Sequence, residues 1–387
     1  MKTDVTIILI FMGSLLWLFF TIKTIQEPIL NQQEIHWILS LLLNLLSYSV
    51  IILPGFLVLM YIKKIKYLEK EDNYGWLLKP LIEKCYFGEG RNDRFEEVLD
   101  HQSEAQQQPF QNKFYWKFLH LVICCLGLQA SYLTWGVLQE KIMTRHYYDE
   151  TNKTTGQFSD SQFLVFVNRV LALAVSGLYL TFTQQPGHRV PMYKYSYCSL
   201  SNILSSWCQY EALKFISFPT QVLAKASKII PVMMMGYCVS GKKYDKYQYV
   251  SAVFISMGMI LFLFGSSTTP SSESQMQSST TFSGVLLLVG YMTCDAFTSN
   301  WQNKLFQSYQ VTSIQAMFGI NLFSTCLTLV SLLLEERLMV SLVFMFQYTH
   351  FALDCIVLSF CSAVGQLFIF HTISVFGKYF MVCMLHS

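Results

Sequence analysis

Gln221, Lys225 and Lys228 stand at i, i+4 and i+7 in the stretch FPTQVLAKASKIIPVMMMG, Phe218 to Gly236. On a helix that spacing lines them along one face. The residues around them are apolar, so two ammonium groups are kept where a lipid-facing helix would carry none. A charge at the middle of a membrane span costs about 2.5–3.5 kcal/mol on insertion scales, and it normally faces a cavity or a partner. One partner that suits two lysines is an anion such as a phosphate or sulfate group. Pro231 lacks the amide that would bond the Ser227 carbonyl, which predicts a bend beside Lys228; Pro219 suits a first turn. The plainer alternatives are that each lysine pairs with Glu211 or Asp295 on a neighbouring span, or that Lys225 snorkels toward a membrane surface.

The preceding stretch, YSYCSLSNILSSWCQYEALKF from Tyr195 to Phe215, is unusually polar for a membrane helix. Ser199, Ser205, Ser206 and Ala212 are small enough to let neighbouring helices approach. Gln209, Tyr210 and Glu211 ask for more than packing. An aromatic ring stacks on a flat base and an amide reads its edge, so Tyr210 and Gln209 are candidate nucleobase contacts, with interhelical hydrogen bonding as the alternative. Arg169, next to Asn168 in LVFVNRVLALAV, is either a further anion contact or the partner of Glu140 or Glu211. Gln129 and Tyr132 lie i, i+3 on one face. For Asn168, Gln129, Tyr132, Asp295, Asn300, Gln366 and His371, bonding between helices is the stronger expectation.

The elements that must position these groups follow from composition. Of the 387 residues 53% are hydrophobic and 13% charged, whereas a soluble domain carries about a quarter charged residues. Runs of about 20 apolar residues cross a bilayer, and they recur at 37–62, 115–138, 161–183, 248–267, 282–301 and 311–334, with less uniform ones at 195–214, 217–240 and 351–372. The opening run IILIFMGSLLWLFF has no small-residue cleavage site after it and is read as an uncleaved anchor. The expected fold is an all-α polytopic transmembrane bundle. It divides into an N-terminal hydrophobic hairpin at 1–62, a polar connector at 63–113, a helical body at 114–377 and a tail at 378–387.

The connector carries nine Lys or Arg and opens with a basic cluster directly after a span, which places its start in the cytosol. Asn152-Lys153-Thr154 is an N-x-S/T sequon, so Asn152 is a candidate glycosylation site on the lumenal side of a secretory membrane. HRVPMYK and GKKYDK then fall in the cytosol, and the stretch from Ser266 to Thr281, which has no basic residue, falls in the lumen. Lys141, Arg145 and Lys153 run against the trend.

A formal net charge of +3, with basic residues spread over many loops, points away from nucleic acid. The eleven cysteines include no CxxC and no Cys/His cluster at zinc spacing, and they read as small apolar packing residues. Neither HExxH nor paired carboxylates near a histidine occur, so an enzyme is not expected, nor a metal or other cofactor.

At the polar spans the sequence resembles the nucleotide-sugar transporter family of the drug/metabolite transporter superfamily, and within it the carriers of the sulfate donor 3′-phosphoadenosine 5′-phosphosulfate (PAPS). The resemblance rests on SQFLVFVNRVLALAV, SLSNILSSWCQYEALKFISFPTQVLAKASKIIPVMMMG, DAFTSNWQ, SFCSAVGQLFIF and ASYLTWGVLQE, and it runs from about Phe114 to Gly377. It implies a ten-span carrier of two inverted five-span halves in the Golgi membrane. Such a carrier would bring PAPS from cytosol to lumen, in exchange for a spent adenine nucleotide such as adenosine 3′,5′-bisphosphate, and so supply lumenal sulfotransferases. Its partners are then the cargo, the counter-transported nucleotide and membrane lipid; a homo-oligomer is compatible with this. Alternatives are a carrier of another nucleotide sugar and a non-transporting regulatory partner of a longer carrier. The last alternative follows from GKYFMVCMLHS, Gly377 to Ser387, which is too short to cross a membrane where the family continues through two further spans.

Overall fold

The computed structural model describes residues 2–30, 37–65, 82, 85, 110–148, 155–158, 160–183, 190–216, 220–221, 225, 228–241, 244–266, 277–309 and 311–376. Almost all of these are helical. In chain order the elements are α1 (Lys2–Leu30), α2 (Trp37–Ile65), α3 (Phe110–Thr144), β1 (His146–Tyr148), β2 (Thr155–Gln157), α4 (Ser161–Phe182) and α5 (Tyr193–Ala212). They continue with α6 (Ile229–Ser240), α7 (Lys246–Ser266), α8 (Gln277–Tyr309), α9 (Ser313–Leu334), α10 (Arg337–Gln347) and α11 (Thr349–Phe376). Seven contain a stretch long and apolar enough to cross a membrane, in α1, α2, α3, α4, α8, α9 and α11. The chain is a polytopic helical bundle.

Local chemistry sets several helix ends. Asp160 caps α4, its carboxylate accepting from the amides of Gln162 at 3.1 Å and Phe163 at 3.3 Å. Thr312 caps α9 by accepting from the Gln315 amide. Gly241 closes α6 in the left-handed region at φ 61°, a conformation that needs no Cβ.

The polar helix α5 is the hub of the bundle, packed against α8, α9 and α4. Its serines explain how it can be polar and buried at once. Ser199 Oγ donates to the Ile320 carbonyl at 2.7 Å, Ser201 Oγ to the Cys294 carbonyl at 2.6 Å and Ser205 Oγ to the Tyr291 carbonyl at 3.4 Å. Small side chains let the backbones approach, and each hydroxyl is satisfied on the neighbouring helix. On the other side of the bundle α3 lies along α11, where Gly127 faces the Phe368 ring and Gly365 faces Tyr132.

The antiparallel pair of β1 and β2, with Tyr147 opposite Gly156, was not foreseen in the sequence. Asn152 falls between the two strands, outside the described residues. At this end an aromatic cluster of Tyr147, Phe158, Phe163, Phe344, Tyr348 and Phe351 fills the space between α3, α4, α10 and α11. Phe158 and Phe351 lie 4.4 Å apart, centroid to centroid. Asp354 of α11 ties the same end together: Lys141 Nζ reaches it at 2.7 Å and Tyr147 Oη donates to it at 3.0 Å.

The N-terminal hairpin is joined to the body by buried polar contacts as well as by apolar packing. Gln26 Nε2 donates to Ser47 Oγ inside the hairpin. Gln162 Nε2 of α4 donates to Tyr48 Oη at 2.7 Å, and Ser331 Oγ of α9 donates to Asn44 Oδ1 at 2.9 Å. Lys23 pairs with Glu336 at 2.8 Å.

Candidate functional site

The chain brings two lysines together between α3, α8 and the segment leading into α6, and buries an arginine between α4 and α5. Lys228 closes a turn at the N-terminal end of α6, and its Nζ lies 2.5 Å from Asp295 Oδ2 on α8. The side chains keep 30% and 25% of their surface exposed, so this pair borders an accessible space. Lys225 has no carboxylate in contact. Its Nζ stands over the Trp135 ring at 5.3 Å and the Tyr291 ring at 5.7 Å, an aromatic seat for a cation. Tyr291 and Asp295 are one turn apart on α8, so both lysines address the same face of that helix.

Arg169 is the most deeply placed of the three, 7% exposed in the middle of α4. Its guanidinium donates to Ser206 Oγ at 2.5 Å and to Asn202 Oδ1 at 3.3 Å, both on α5, while its Nε has no partner. Neither Glu140 nor Glu211 is bonded to it. Glu211 is occupied elsewhere, accepting from Ser161 Oγ at 2.8 Å and pairing with Lys214 at 2.7 Å. Two of the partnerships considered from sequence, Glu211 with the lysines and Glu211 with Arg169, are therefore replaced by Glu211 with Lys214. The reason is reach: Glu211 sits in the last turn of α5, one turn from Lys214.

Tyr132 stands within electrostatic range of both Arg169 and Asp295, and Tyr291 within range of Asp295 and Tyr132. The two tyrosines thus bridge the arginine side of the cluster to the lysine side. Among the described residues Asp295 is the one carboxylate that meets these two lysines, which leaves one ammonium group in surplus. Such a surplus in a bundle core is stable only with solvent or an anion among the charges.

Other residues singled out from sequence are used structurally. Tyr210 is 1% exposed, with its hydroxyl accepting from Asn168 Nδ2 at 2.7 Å and its ring edge-on to Trp135. As a platform for a base it is corrected: both faces are packed, and it braces Trp135 instead. Gln209 Nε2 donates to Gln139 Oε1 at 3.0 Å, joining α5 to α3. Gln221 Nε2 donates to the Gln209 carbonyl at 2.7 Å and is fully buried, so it anchors its segment beside α5. Asn300 Nδ2 bonds the Val232 carbonyl of α6 and its own helix at Ala296, a contact between helices as expected. Gln129 is exposed and Tyr132 half-buried on α3. Pro231 occupies the first turn of α6, where no helical amide is required. The bend expected from it is thus a helix start. Pro219 and the side chain of His371 lie outside the described residues.

Sequence reasoning did not single out Trp135, Tyr291, Asn202 or Ser206 as holders of the cations. The i, i+4 spacing of Tyr291 and Asp295 was the available signal; nothing in the sequence tied Trp135 to Lys225.

Comparison with known proteins bears on this arrangement. The chain is 48% identical over 341 residues to the human adenosine 3′-phospho 5′-phosphosulfate transporter 1, covering 88% of this chain and 76% of the relative. It is 48% identical over 359 residues to the protein of that name in Drosophila melanogaster, covering 92% and 76%. The UDP-galactose/UDP-glucose transporter 5B of Arabidopsis thaliana is 38% identical over 260 residues, covering 66% and 74%. Residues 120–386 match the UAA transporter family, a group of nucleotide-sugar carriers, and with helices, buried cations and relatives in agreement the chain belongs to that family.

Proposed function

We propose that this chain carries 3′-phosphoadenosine 5′-phosphosulfate across a membrane, and that Arg169, Lys225 and Lys228 hold its phosphate and sulfate groups on the way. The observation that carries the reading is the pair of lysines that share one carboxylate, with Lys225 over the Trp135 and Tyr291 rings, in a chain of a nucleotide-carrier family. The cargo has several negative charges at one end and an adenine ring at the other. In this reading Tyr132 and Gln129 on α3 meet the base, and Tyr210, edge-on to Trp135, supports that ring. The names of the relatives with 48% identity support this cargo over a uridine sugar.

Transport then proceeds by alternating access between two inverted halves around a central site. The aromatic cluster and the Asp354 contacts close the end that carries the β-hairpin, and release on that side requires them to part. An unloaded site with surplus positive charge crosses slowly, which favours exchange with a spent nucleotide such as adenosine 3′,5′-bisphosphate. The compartment consistent with the sequon and the charge pattern is the Golgi, with the β-hairpin end in the lumen.

The test is uptake of radiolabelled PAPS into proteoliposomes, preloaded with adenosine 3′,5′-bisphosphate or left empty, with UDP-galactose as competitor. Uptake that depends on preloading and is unaffected by UDP-galactose is expected. Inhibition by UDP-galactose at concentrations like those of PAPS itself would reassign the cargo.

A further inference from the structure

Among the described residues, the carboxylates inside the bundle fall into two kinds. Asp160 accepts from two backbone amides and from Ser341 Oγ. Glu211 holds Ser161 and Lys214, and Asp354 holds Lys141 and Tyr147. Each of these three has at least two donors from different elements, the pattern of a charge built into the scaffold. Asp295 differs. Among the described residues its contact with Lys228 is its only polar bond, and no amide or hydroxyl donates to its Oδ2. It is also the carboxylate whose charge reaches Lys225.

We propose that Asp295 is an internal counter-anion that an oxyanion of the cargo displaces from Lys228. This rests on the reading of the cluster as the cargo site. In the unloaded carrier the Asp295 carboxylate occupies the ammonium group as a phosphate oxygen would. A phosphate or sulfate arriving beside Lys225 takes that place, and Asp295, which has no other polar bond among the described residues, gives it up. Cargo affinity is therefore measured against the ion pair that is broken. This keeps binding weak enough for release and restores a partner to Lys228 when the cargo leaves.

The geometry supports exchange of partners over permanent pairing. Both side chains are about a quarter exposed, so an incoming anion can reach the ammonium group without unpacking a helix. The pair also sits at the turn that begins α6, where Lys228 bonds back to Lys225 through its amide at 3.3 Å. A change of partner at Lys228 is thus coupled directly to the backbone of the helix that follows.

The experiment compares the wild-type chain with Asp295→Asn, Asp295→Ser and Asp295→Glu, and with Lys228→Gln, in detergent and in proteoliposomes. Binding of adenosine 3′,5′-bisphosphate and of inorganic pyrophosphate is read from the ligand-induced thermal shift, and exchange from uptake of labelled PAPS. For Asp295→Asn the expected result is binding about tenfold tighter for both probes, equivalent to ~1.4 kcal/mol of competition removed. Exchange should fall in kcat with a lower KM. Asp295→Glu should keep wild-type binding, and Lys228→Gln should weaken it. Asp295→Ser gives the same reading as Asp295→Asn should the latter fail to fold. Unchanged or weaker binding in a folded Asp295→Asn or Asp295→Ser protein, with Lys228→Gln weakened, overturns the displacement while leaving the cargo site in place. Tighter pyrophosphate binding in Asp295→Asn without any PAPS uptake by the wild type upholds the displacement and refutes the choice of cargo.

Discussion

Replacing Arg169 by Met separates a cargo cation from a structural one, because the two roles predict different changes in stability. The guanidinium is 7% exposed in mid-span and makes two hydrogen bonds, to Ser206 and Asn202, with no carboxylate partner. Removing a mid-span charge returns about 2.5–3.5 kcal/mol on insertion scales. Losing two hydrogen bonds from a charged donor costs about 1.5–3 kcal/mol each. The gain offsets most of this, so the ligand-free protein should lose less than about 2 kcal/mol. Function should respond very differently. Loss of a buried charge-assisted contact to a phosphate costs about 2–4 kcal/mol, which corresponds to a fall in kcat/KM of roughly 30- to 1,000-fold. Thermal unfolding in detergent without nucleotide, beside initial rates of PAPS exchange at equal protein per liposome, measures both quantities. Destabilisation by 2 kcal/mol or more with transport reduced only in proportion to folded protein would show that Arg169 is bonding between helices, and the cargo reading of the cluster would lose its deepest member.

The remaining predictions concern the scaffold. Burial in the connection after α9 pushes the Glu335 carboxyl up to about 7, with Arg337 beside it pulling the other way. A carboxyl raised in the folded state contributes stability that is fully present below its unfolded value near 4.5 and is lost as pH rises through about 7. Melting temperatures taken from pH 5 to pH 8.5 should decline with pH, and Glu335→Gln should flatten that decline; an unchanged slope in the variant would assign it to other groups. Tyr48→Phe leaves the Gln162 amide of α4 without its acceptor inside the bundle, which should cost about 1–3 kcal/mol. It should also loosen the N-terminal hairpin from the body, visible as faster hydrogen exchange in α2 than in α8. If the hairpin is only an anchor, exchange in α2 will not change.

Much of this was legible from residue types and their order. Hydropathy gives the seven helices long and apolar enough to cross, because apolar length is what a bilayer demands; the runs expected at 195–214, 217–240 and 248–267 are not among those seven in the described residues. The polarity of the stretch from Tyr195 to Phe215 marked it as buried among helices, and the serines of α5 bear this out. The i, i+4, i+7 spacing singled out Lys225 and Lys228 together, and Asp295 was among the acids considered for them. What failed was the choice between equivalent partners. Tyr210 reads as an available ring and Gln221 as a member of the cation stripe; packing buries the first against Trp135 and ties the second to the Gln209 carbonyl.

The physical reason is range. Helix formation, capping at Asp160 and the start of α6 at Pro231 depend on residues within one or two turns, so the sequence by itself determines them. Which carboxylate meets which cation depends on the rotation and depth of helices far apart in the chain. Asp295 lies 67 residues after Lys228 by their numbers, and Trp135 lies 90 before Lys225. Only the assembled bundle decided that Glu211 would be taken by Lys214, that Arg169 would be held by Ser206 and Asn202, and that Lys228 would take Asp295.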